Sequence, residues 1–486
     1  MINTFGSFCE TVWHNSNIFC TFGTKLDYAK LFRMKTTTTI RDHSLLLKAF
    51  RAYLIYVNTW LYFRREHIVG LENLTPNGTP LLIVSNHQNC LNDPLCVCLA
   101  LTDRRMNFIA RANVFQRPIF NKALRAMGLL PAYRMSFEGY AAVNKNRETM
   151  DDASQAISDG ETLMMFPEAG HQDKRWLGEF KLGYLRIAFD AAEKLNFERD
   201  VMIVPSCNHY ACYFHARSRM LIKFGKPLSL RQYYDSYREA PRETLAKVNM
   251  LVRSKIDELM LNIEDLDNYD EIDFLRNSEY GDIYAFEHGF KPSYLPARLL
   301  ADKQLVVALK EAANKHPEEM KHIYADTRHL RNEMERINIR DWLFKRKPSS
   351  ATLTLRALVL FALLPLFVIA IIPTALLFII PKIFIARLIK DRMFLGSFNL
   401  AVSALITIPI CQFLVSILIW IFCGGWWALG YFVAFPLMFL FAWEYIRLLH
   451  KFVGTHNFTS SRNRAEIARL DALRNSIFER LADLVK

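Results

Sequence analysis

Two long hydrophobic stretches towards the carboxyl end, residues 357–380 and 399–445, constrain the fold of this chain more than any other feature. A helix needs about 20 consecutive apolar residues to cross the hydrocarbon core of a bilayer. The first stretch is long enough for one such helix, and the second is long enough for two helices that turn around Gly424 and Gly425. The part of the chain before them reads as ordinary globular protein. We therefore expect a globular region followed by a membrane region over residues 349–452.

Basic residues flank every hydrophobic piece, at 345–347 and 356, at 382, 387, 390 and 392, and at 447 and 451. Such flanks prefer the cytoplasmic face, and three plain spans would violate that preference once. One hypothesis is therefore a true hairpin at 399–445, with 357–380 as a re-entrant or interfacial segment bent at Pro365 and Pro373. The alternative is three plain spans. Either way, we expect an integral membrane protein with its globular region on the cytoplasmic face.

The formal net charge of +13 arises from 61 Lys and Arg residues against 48 Asp and Glu residues. These scattered charges, next to hydrophobic anchors, suit anionic lipid head groups and phosphate-bearing substrates. The sequence contains no zinc-finger spacing, aromatic RNA-binding signature or basic zipper, so nucleic acid is not an expected partner. The nine cysteines include no pair with two residues between them. That usage argues against a disulfide framework or a metal site and favours a reducing compartment.

Short apolar runs alternate with helical patterns between residues 66 and 229. The runs that predict strands are 80–85, 106–110, 129–133, 161–166, 201–210 and 220–224. This alternation is typical of an α/β layered domain with a largely parallel central sheet, in which sites form at the carboxyl ends of strands. The expected fold class is thus an α/β domain with a helical accessory region and C-terminal transmembrane helices.

The remaining segments are assigned by their periodicity. Residues 1–43 show none and are taken as an N-terminal extension. Residues 44–65 mix aromatic and basic side chains, which predicts either an amphipathic interfacial helix or a helix packed on the domain behind it. Residues 230–348 have helical spacing and are expected to form a helical accessory region. Residues 453–486 are expected to form a C-terminal amphipathic helix.

A histidine and an aspartate follow the first predicted strand, in the segment SNHQNCLNDP. His87 is the type of side chain best suited to take a proton near neutral pH. Asp93, where a helix should begin, can accept a hydrogen bond from the other ring nitrogen. Asn92 is an alternative partner that would stabilise an imidazolium less. Taken alone, the pair is equally consistent with a surface histidine near a helix cap.

Three further segments lie at or within predicted strands. Arg134 follows LLPAY, where a guanidinium can hold a phosphate. Glu168 and Gly170 lie in the turn after ETLMMF. The glutamate can accept from substrate hydroxyls or hold the arginine, and the glycine lets a ligand approach the backbone. Pro205 interrupts the apolar strand 201–210, which suggests an edge strand or a kink.

Together and in this order, the four segments resemble the sequence blocks of the PlsC-like glycerolipid acyltransferase family. Those blocks are a His–Asp block, a block ending in Arg, a Phe-Pro-Glu-Gly block and a Val-Pro block. The lead-in GLENL at 70–74 adds to the resemblance, which covers roughly residues 66–225. Each block alone is weakly specific, whereas their joint order and spacing are far more so.

Two positions depart from the family pattern. Asn92 occupies the usual place of the aspartate, so that Asp93 comes one residue late, and we expect Asp93 to be the partner of His87. Ala169 stands where the family usually has glycine. If that place requires a positive φ angle, we expect Gly170 to supply the freedom that an alanine lacks.

The resemblance implies an O-acyltransferase of phospholipid synthesis with His87 as general base and Asp93 as its orienting partner. It implies that Arg134 and Glu168, with Gly170, hold the phosphate and glycerol of the acceptor, and that Pro205 shapes the wall near the acyl chain. The donor would be acyl-CoA or acyl-ACP, a co-substrate, so no cofactor and no metal are expected. The expected partners are this donor, a phosphoglycerol acceptor, membrane lipids and, for an acyl-ACP donor, an acyl carrier protein.

Alternatives remain at this stage. The acceptor can be glycerol-3-phosphate, lysophosphatidate or another lysophospholipid, and the extra helical region and long membrane tail favour the first or a broader range slightly. A second class of function is a membrane lipid-binding or scaffold homologue without activity, for which Ala169 and the shifted Asp93 are the only support. Cys90 as a nucleophile is a weaker hypothesis, because its segment already contains a His–Asp pair.

Overall fold

The computed structural model describes residues 45–116, 118–133, 141–168, 170, 174–389 and 394–485. The expected N-terminal extension at 1–43 lies outside the described residues. The strands of the globular region are β1 (Arg65–Val69), β2 (Leu81–Ser85), β3 (Met106–Arg111), β4 (Leu129–Ala132), β5 (Thr162–Met165), β6 (Met202–Tyr210), β7 (Arg219–Phe224) and β8 (Leu228–Ser229). Its helices are α1 (Leu45–Tyr56), α2 (Asn92–Ala100), α3 (Pro118–Ala126), α4 (Ala141–Ser158) and α5 (Gly183–Lys194).

The strands join one sheet in the order β1-β7-β6-β2-β5-β3-β4, with the short β8 paired to β6. Neighbouring strands are parallel except where β6 meets β7 and β8, which run antiparallel to it. Each of the six predicted strands is present, so the α/β class with a largely parallel sheet is confirmed. The sequence misses β1 and β8, because REHIV carries too much charge to read as a buried strand and LS is only two residues long.

Strand β2, which leads into the histidine segment, is central and fully buried. Leu81 and Ile83 pack on one face of the sheet with α2, whereas Leu82 and Val84 pack on the other face with α5. A strand covered by helices on both faces has no polar side, which explains its continuous apolar run. The polar residues that follow Ser85 therefore emerge at the carboxyl edge of the sheet.

Strand β6 corrects the expectation that Pro205 marks an edge or a kink. It is a continuous interior strand, and Pro205 is paired with Val84 of β2. On its other side, β8 pairs only up to Ile203 and β7 begins its pairing at Ser206, so Pro205 falls between the two antiparallel partners. The Gly225 N–H donates to the Pro205 carbonyl at 2.8 Å. A proline is tolerated at this position because neither antiparallel partner needs a backbone N–H from it.

The accessory region is helical, as expected. Its helices are α6 (Tyr234–Glu239), α7 (Pro241–Leu259), α8 (Tyr269–Asn277), α9 (Glu279–Glu287), α10 (Leu295–Lys315), α11 (Pro317–Arg336) and α12 (Trp342–Arg346). Pro317 separates α10 from α11 and opens the latter, the position in which a proline costs a helix least. The buried face of α7 packs on the sheet beside α5, whereas α8 to α12 build a separate hydrophobic cluster.

The membrane region consists of α13 (Ser350–Leu388), α14 (Leu395–Val402), two π-helical turns (Ser403–Thr407 and Pro409–Leu414), α15 (Val415–Cys423) and α16 (Gly425–Thr459). By length and composition, three stretches of the described chain could cross a membrane: Ser350–Phe384, Leu395–Cys423 and Gly425–Thr459. Gly424, at φ 99°, forms the turn between the last two. The chain then continues into α17 (Arg464–Leu484), whose apolar face packs on the cluster formed by α8 to α12.

Helix α13 runs unbroken through Pro365, Pro373 and Pro381, which argues against a re-entrant loop that turns at a proline. Near its start, Arg356 donates to the Lys451 carbonyl of α16, and its guanidinium lies over the Trp342 ring of α12 in the accessory region. Near its end, Lys382 lines a small pocket together with His215 of the globular domain. Both ends of α13 therefore lie close to the globular side of the molecule, the arrangement expected for an interfacial segment.

Helix α1 continues as a π-helical turn to Tyr62 and lies against the membrane region. The Tyr53 hydroxyl donates to the Ala404 carbonyl at 2.5 Å, and the Tyr56 hydroxyl donates to the Gln412 side chain at 3.1 Å. The following turn buries Leu61 and Tyr62 in the core on one face of the sheet. This segment thus joins the globular domain to the second hydrophobic stretch.

Candidate active site

His87 emerges two residues after the end of β2, at the carboxyl edge of the sheet. Its Nδ1 lies 2.9 Å from Asp93 Oδ2. Its ring stacks on Phe166, which follows β5, with the ring centroids 4.2 Å apart and the planes 21° from parallel. The side chain of His87 is 15% exposed, whereas that of Asp93 is completely buried. The imidazole is therefore held on one side by a buried carboxylate and on one face by an aromatic ring.

Asp93 sits in the first turn of α2 and is enclosed by donors. The backbone N–H groups of Gln88 and Asn89 donate to Oδ2 at 2.9 and 2.8 Å, and the Tyr210 hydroxyl donates to Oδ1 at 2.8 Å. A fully buried carboxylate is costly unless it is hydrogen-bonded, and here each oxygen is satisfied. Burial and the adjacent charge of Asp93 raise the pKa of Tyr210 well above 10, so its hydroxyl stays protonated.

The structure places Asp93, and not Asn92, against His87. Asn92 is also buried, but its amide donates to the Asn89 side chain at 3.2 Å. The additional residue is absorbed by Cys90, whose φ of 43° is in the left-handed region. That conformation costs a non-glycine residue about 1–2 kcal/mol, which the hydrogen bonds around the loop offset.

Cys90 lacks the environment of a nucleophile. Burial and the neighbouring Asp93 raise the pKa of its thiol to about 12, although Arg111 opposes the shift. The thiolate is the reactive form of cysteine, and almost none is present at neutral pH. The geometry therefore favours a histidine base over a covalent cysteine intermediate.

Glu168 ties the loop after β5 to the loop after β2. Its Oε1 accepts from the His87 backbone N–H and its Oε2 accepts from the Gly178 N–H, both at 2.9 Å. Burial raises the pKa of this carboxyl, while the two N–H donors oppose the shift. Gly170, two residues on, is not in the positive-φ region, so the expectation that it provides such freedom is wrong. Ala169 lies outside the described residues.

The structure thus brings together some of the site residues that the sequence predicts. His87, Asp93 and Glu168 are joined by direct hydrogen bonds. Pro205 lies on the neighbouring strand β6, buried beside Val84. Arg134 falls outside the described residues. The roles of these residues in binding and catalysis remain predictions.

Sequence reasoning missed the residues that support this group from β6, from the loop after it and from the segment between β5 and α5. Arg175 is buried, donates to the Tyr210 carbonyl at 2.9 Å and packs over the Tyr213 ring. The Tyr213 hydroxyl in turn donates to the Gln88 side chain at 2.5 Å. Tyr210 lies 117 residues from Asp93 in the sequence. No local spacing links such positions, and the aromatic cluster NHYACYF after the fourth block is the only hint in the sequence.

Comparison with known proteins agrees with the sequence blocks. A family model described as Acyltransferase matches residues 65–208. A chloroplastic 1-acyl-sn-glycerol-3-phosphate acyltransferase of Arabidopsis thaliana is 29% identical over 126 residues, which are 26% of this chain and 33% of that protein. Glycerol-3-phosphate O-acyltransferase 2 of Saccharomyces cerevisiae is 27% identical over 129 residues, 26% of this chain and 17% of that protein. The chain thus spans a third or less of the length of these relatives.

Among solved structures, the 1-acyl-sn-glycerophosphate (LPA) acyltransferase PlsC of Thermotoga maritima is 19% identical and covers 51% of this chain and 92% of its own. Its TM-score of 0.33 is too low to support an assignment. The assignment depends instead on the family match and on the relatives, both of which fall on the segment with the four blocks. Residues 65–208 therefore match the Acyltransferase family, and within this segment the chain is similar to glycerolipid acyltransferases.

Proposed function

We propose that this protein is a membrane-bound O-acyltransferase that moves a fatty acyl group from an acyl thioester to a hydroxyl of a phosphoglycerol acceptor. The observation that carries the proposal is the 2.9 Å contact between His87 Nδ1 and Asp93 Oδ2 at the carboxyl edge of the sheet. A histidine whose Nδ1 faces a buried carboxylate is fixed in the tautomer that accepts a proton at Nε2. That is the arrangement a general base requires.

The reaction then needs no covalent enzyme intermediate. His87 Nε2 takes the proton of the acceptor hydroxyl as its oxygen attacks the thioester carbonyl. The tetrahedral intermediate collapses by breaking the carbon–sulfur bond, and the imidazolium returns its proton to the departing thiolate. Asp93 stabilises the imidazolium in between, because its charge is buried and close. A positioned general base contributes roughly a hundred- to ten-thousandfold to the rate.

Glycerol-3-phosphate and lysophosphatidate are the acceptors that we propose. The names of the relatives include both reactions, an acylation of 1-acylglycerol-3-phosphate and one of glycerol-3-phosphate. Both acceptors carry a phosphate, which Arg134 would hold with Glu168 and Gly170 nearby, while Pro205 would border the acyl chain. The donor would be acyl-CoA or acyl-ACP, with an acyl carrier protein as partner in the second case.

We further propose that the acyltransferase domain lies on the cytoplasmic face and contacts membrane lipids. About 20 residues separate Ala404, which contacts α1, from the turn at Gly424, and a helix of that length measures about 30 Å, the thickness of the hydrocarbon core. Trp426 and Trp427 are strongly exposed beside this turn, as expected for aromatic residues at the far interface. The hairpin would cross the membrane, whereas α13 would lie in the near interface.

An inactive lipid-binding homologue is the competing function. Its support in the sequence was Ala169 and the displaced aspartate, and the loop around Cys90 brings Asp93 to His87 despite the displacement. We therefore favour the enzyme.

The test uses the purified full-length chain with acyl-CoA and acyl-ACP donors and a panel of acceptors, with products resolved by mass. His87→Ala should abolish transfer while binding to liposomes persists. His322→Ala, at an exposed position on α11, is the matched control and should keep full activity. Absence of any His87-dependent transfer from either donor would refute the proposed enzyme.

A further inference from the structure

The first turn of helix α14, at the start of the second hydrophobic stretch, reaches into the loop that carries His87. Ser397 Oγ donates to the Asn89 carbonyl at 2.5 Å. The same oxygen accepts from the Asn92 backbone N–H at 3.2 Å. All three residues are buried. A single hydroxyl from the membrane region therefore bonds to both ends of the short turn between His87 and Asp93.

The approach is too close for a side chain at the preceding position. A Cβ on Gly396 would lie 2.3 Å from the Tyr213 carbonyl oxygen and 2.9 Å from Asn89 Oδ1. The Gly396 carbonyl also accepts from the Tyr62 hydroxyl at 2.6 Å. Helix α14 thus contacts both the turn that follows α1 and the loop that follows β2.

The loop closes its own turn, because the Asn92 N–H donates to the Asn89 carbonyl at 2.9 Å, and it is also held on two sides by side chains. Its inner side is held by Asp93, which accepts from the Gln88 and Asn89 N–H groups. Its outer side turns at Cys90 in a left-handed conformation that a non-glycine residue adopts at a cost. Ser397 is the side chain that holds the outer carbonyl of that turn. Without it, the Asn89 carbonyl would keep the bond from the Asn92 N–H but lose its bond to the membrane region, and we expect the Gln88 and Asn89 N–H groups to move away from the carboxylate.

We propose that Ser397 is a positioning residue through which the membrane region sets the geometry of the His87–Asp93 pair. In this arrangement, the position of α14 determines the geometry in which His87 accepts a proton. The proposal rests on the proposed function for its kinetic consequence, but the loop contact can be tested without any activity. It also assigns a role in the active site to residues outside the family match at 65–208.

The test compares Ser397→Ala and Ser397→Thr with Ser403→Ala in the full-length chain reconstituted in liposomes. Ser403 lies on the same helical run, but its hydroxyl donates to the Asn399 side chain within that run and not to the loop. Loss of the hydroxyl should lower kcat roughly three- to tenfold, the size expected for one hydrogen bond, while the KM values for donor and acceptor change less than twofold. Ser397→Thr should restore at least half of the lost kcat, and Ser403→Ala should behave as wild type.

A second measurement is independent of catalysis. Cys90 is 7% exposed, and in the intact loop it should react slowly with a small thiol reagent. Ser397→Ala should raise its labelling rate at least fivefold, as resolved by peptide mass, with no change at Cys207 in β6. Faster labelling together with an inactive wild type would refute the proposed function but support the loop contact. An active wild type with unchanged kcat and unchanged Cys90 labelling in Ser397→Ala would overturn the inference.

Discussion

Replacing Asp93 by asparagine tests the central pair with little change in shape. The carbonyl oxygen of an asparagine at this position can face the Gln88 and Asn89 N–H groups, and His87 Nδ1 can still donate to it. The tautomer of His87 should therefore be retained. What disappears is the negative charge that stabilises the imidazolium during transfer.

The size of that loss follows from the geometry. Nδ1 and Oδ2 are 2.9 Å apart, which places the centres of the two charges roughly 4 Å from each other. At an effective dielectric constant of about 20, Coulomb's law gives about 4 kcal/mol for such a pair. Because 1.36 kcal/mol corresponds to a factor of ten in rate, the upper limit is roughly a thousandfold. We expect kcat to fall roughly a hundred- to thousandfold in Asp93→Asn.

The assay measures acyl transfer from an acyl thioester through the appearance of the free thiol. The melting temperature of each variant is measured alongside. Asp235→Asn is the control, because the Asp235 side chain is 90% exposed and is bonded to Arg238 in its own helix. An Asp93→Asn enzyme within tenfold of wild type would refute the reasoning. So would an Asn92→Ala variant that loses as much activity as Asp93→Asn without a loss of stability.

Two further predictions concern the surroundings of this pair and the membrane region. Tyr210→Phe removes a donor to Asp93 Oδ1, so the carboxylate should favour the protonated imidazole more strongly. The acidic limb of the kcat/KM profile should then move to higher pH, while Tyr234→Phe, at a hydroxyl remote from the site, should leave it in place. Lys382→Cys, in a background without other cysteines, should react with an impermeant thiol reagent from the same side as the acyltransferase domain, because Lys382 lines a pocket with His215. Trp426→Cys should react only from the opposite side.

Specific results would contradict these two predictions. An unchanged or lowered acidic limb in Tyr210→Phe would mean that its hydrogen bond does not act on His87 through Asp93. Labelling of Lys382→Cys only from the side opposite the acyltransferase domain would mean that α13 crosses the membrane as a plain span.

The strands show how far local pattern predicts this fold. Buried parallel strands need apolar side chains on both faces, so runs such as LLIVS at β2 are visible in one dimension. The same criterion misses β1, whose polar edge position is decided by its pairing with β7. It also misreads Pro205, because only the lengths of β7 and β8 create the gap in which an interior strand tolerates proline.

The candidate site, like the strands, is predicted from the sequence only in part. The sequence by itself determined the types and order of the residues at the strand ends, because the chemistry of a base and its acidic partner limits which residues can appear there. Only the tertiary structure decided between Asn92 and Asp93, since a left-handed turn at Cys90 compensates for one additional residue. The supporting hydroxyl of Tyr210 is 117 residues from Asp93, and Ser397 is 308 residues from Asn89. Contacts at such separations arise from how the sheet and the membrane helices pack, which no local periodicity encodes.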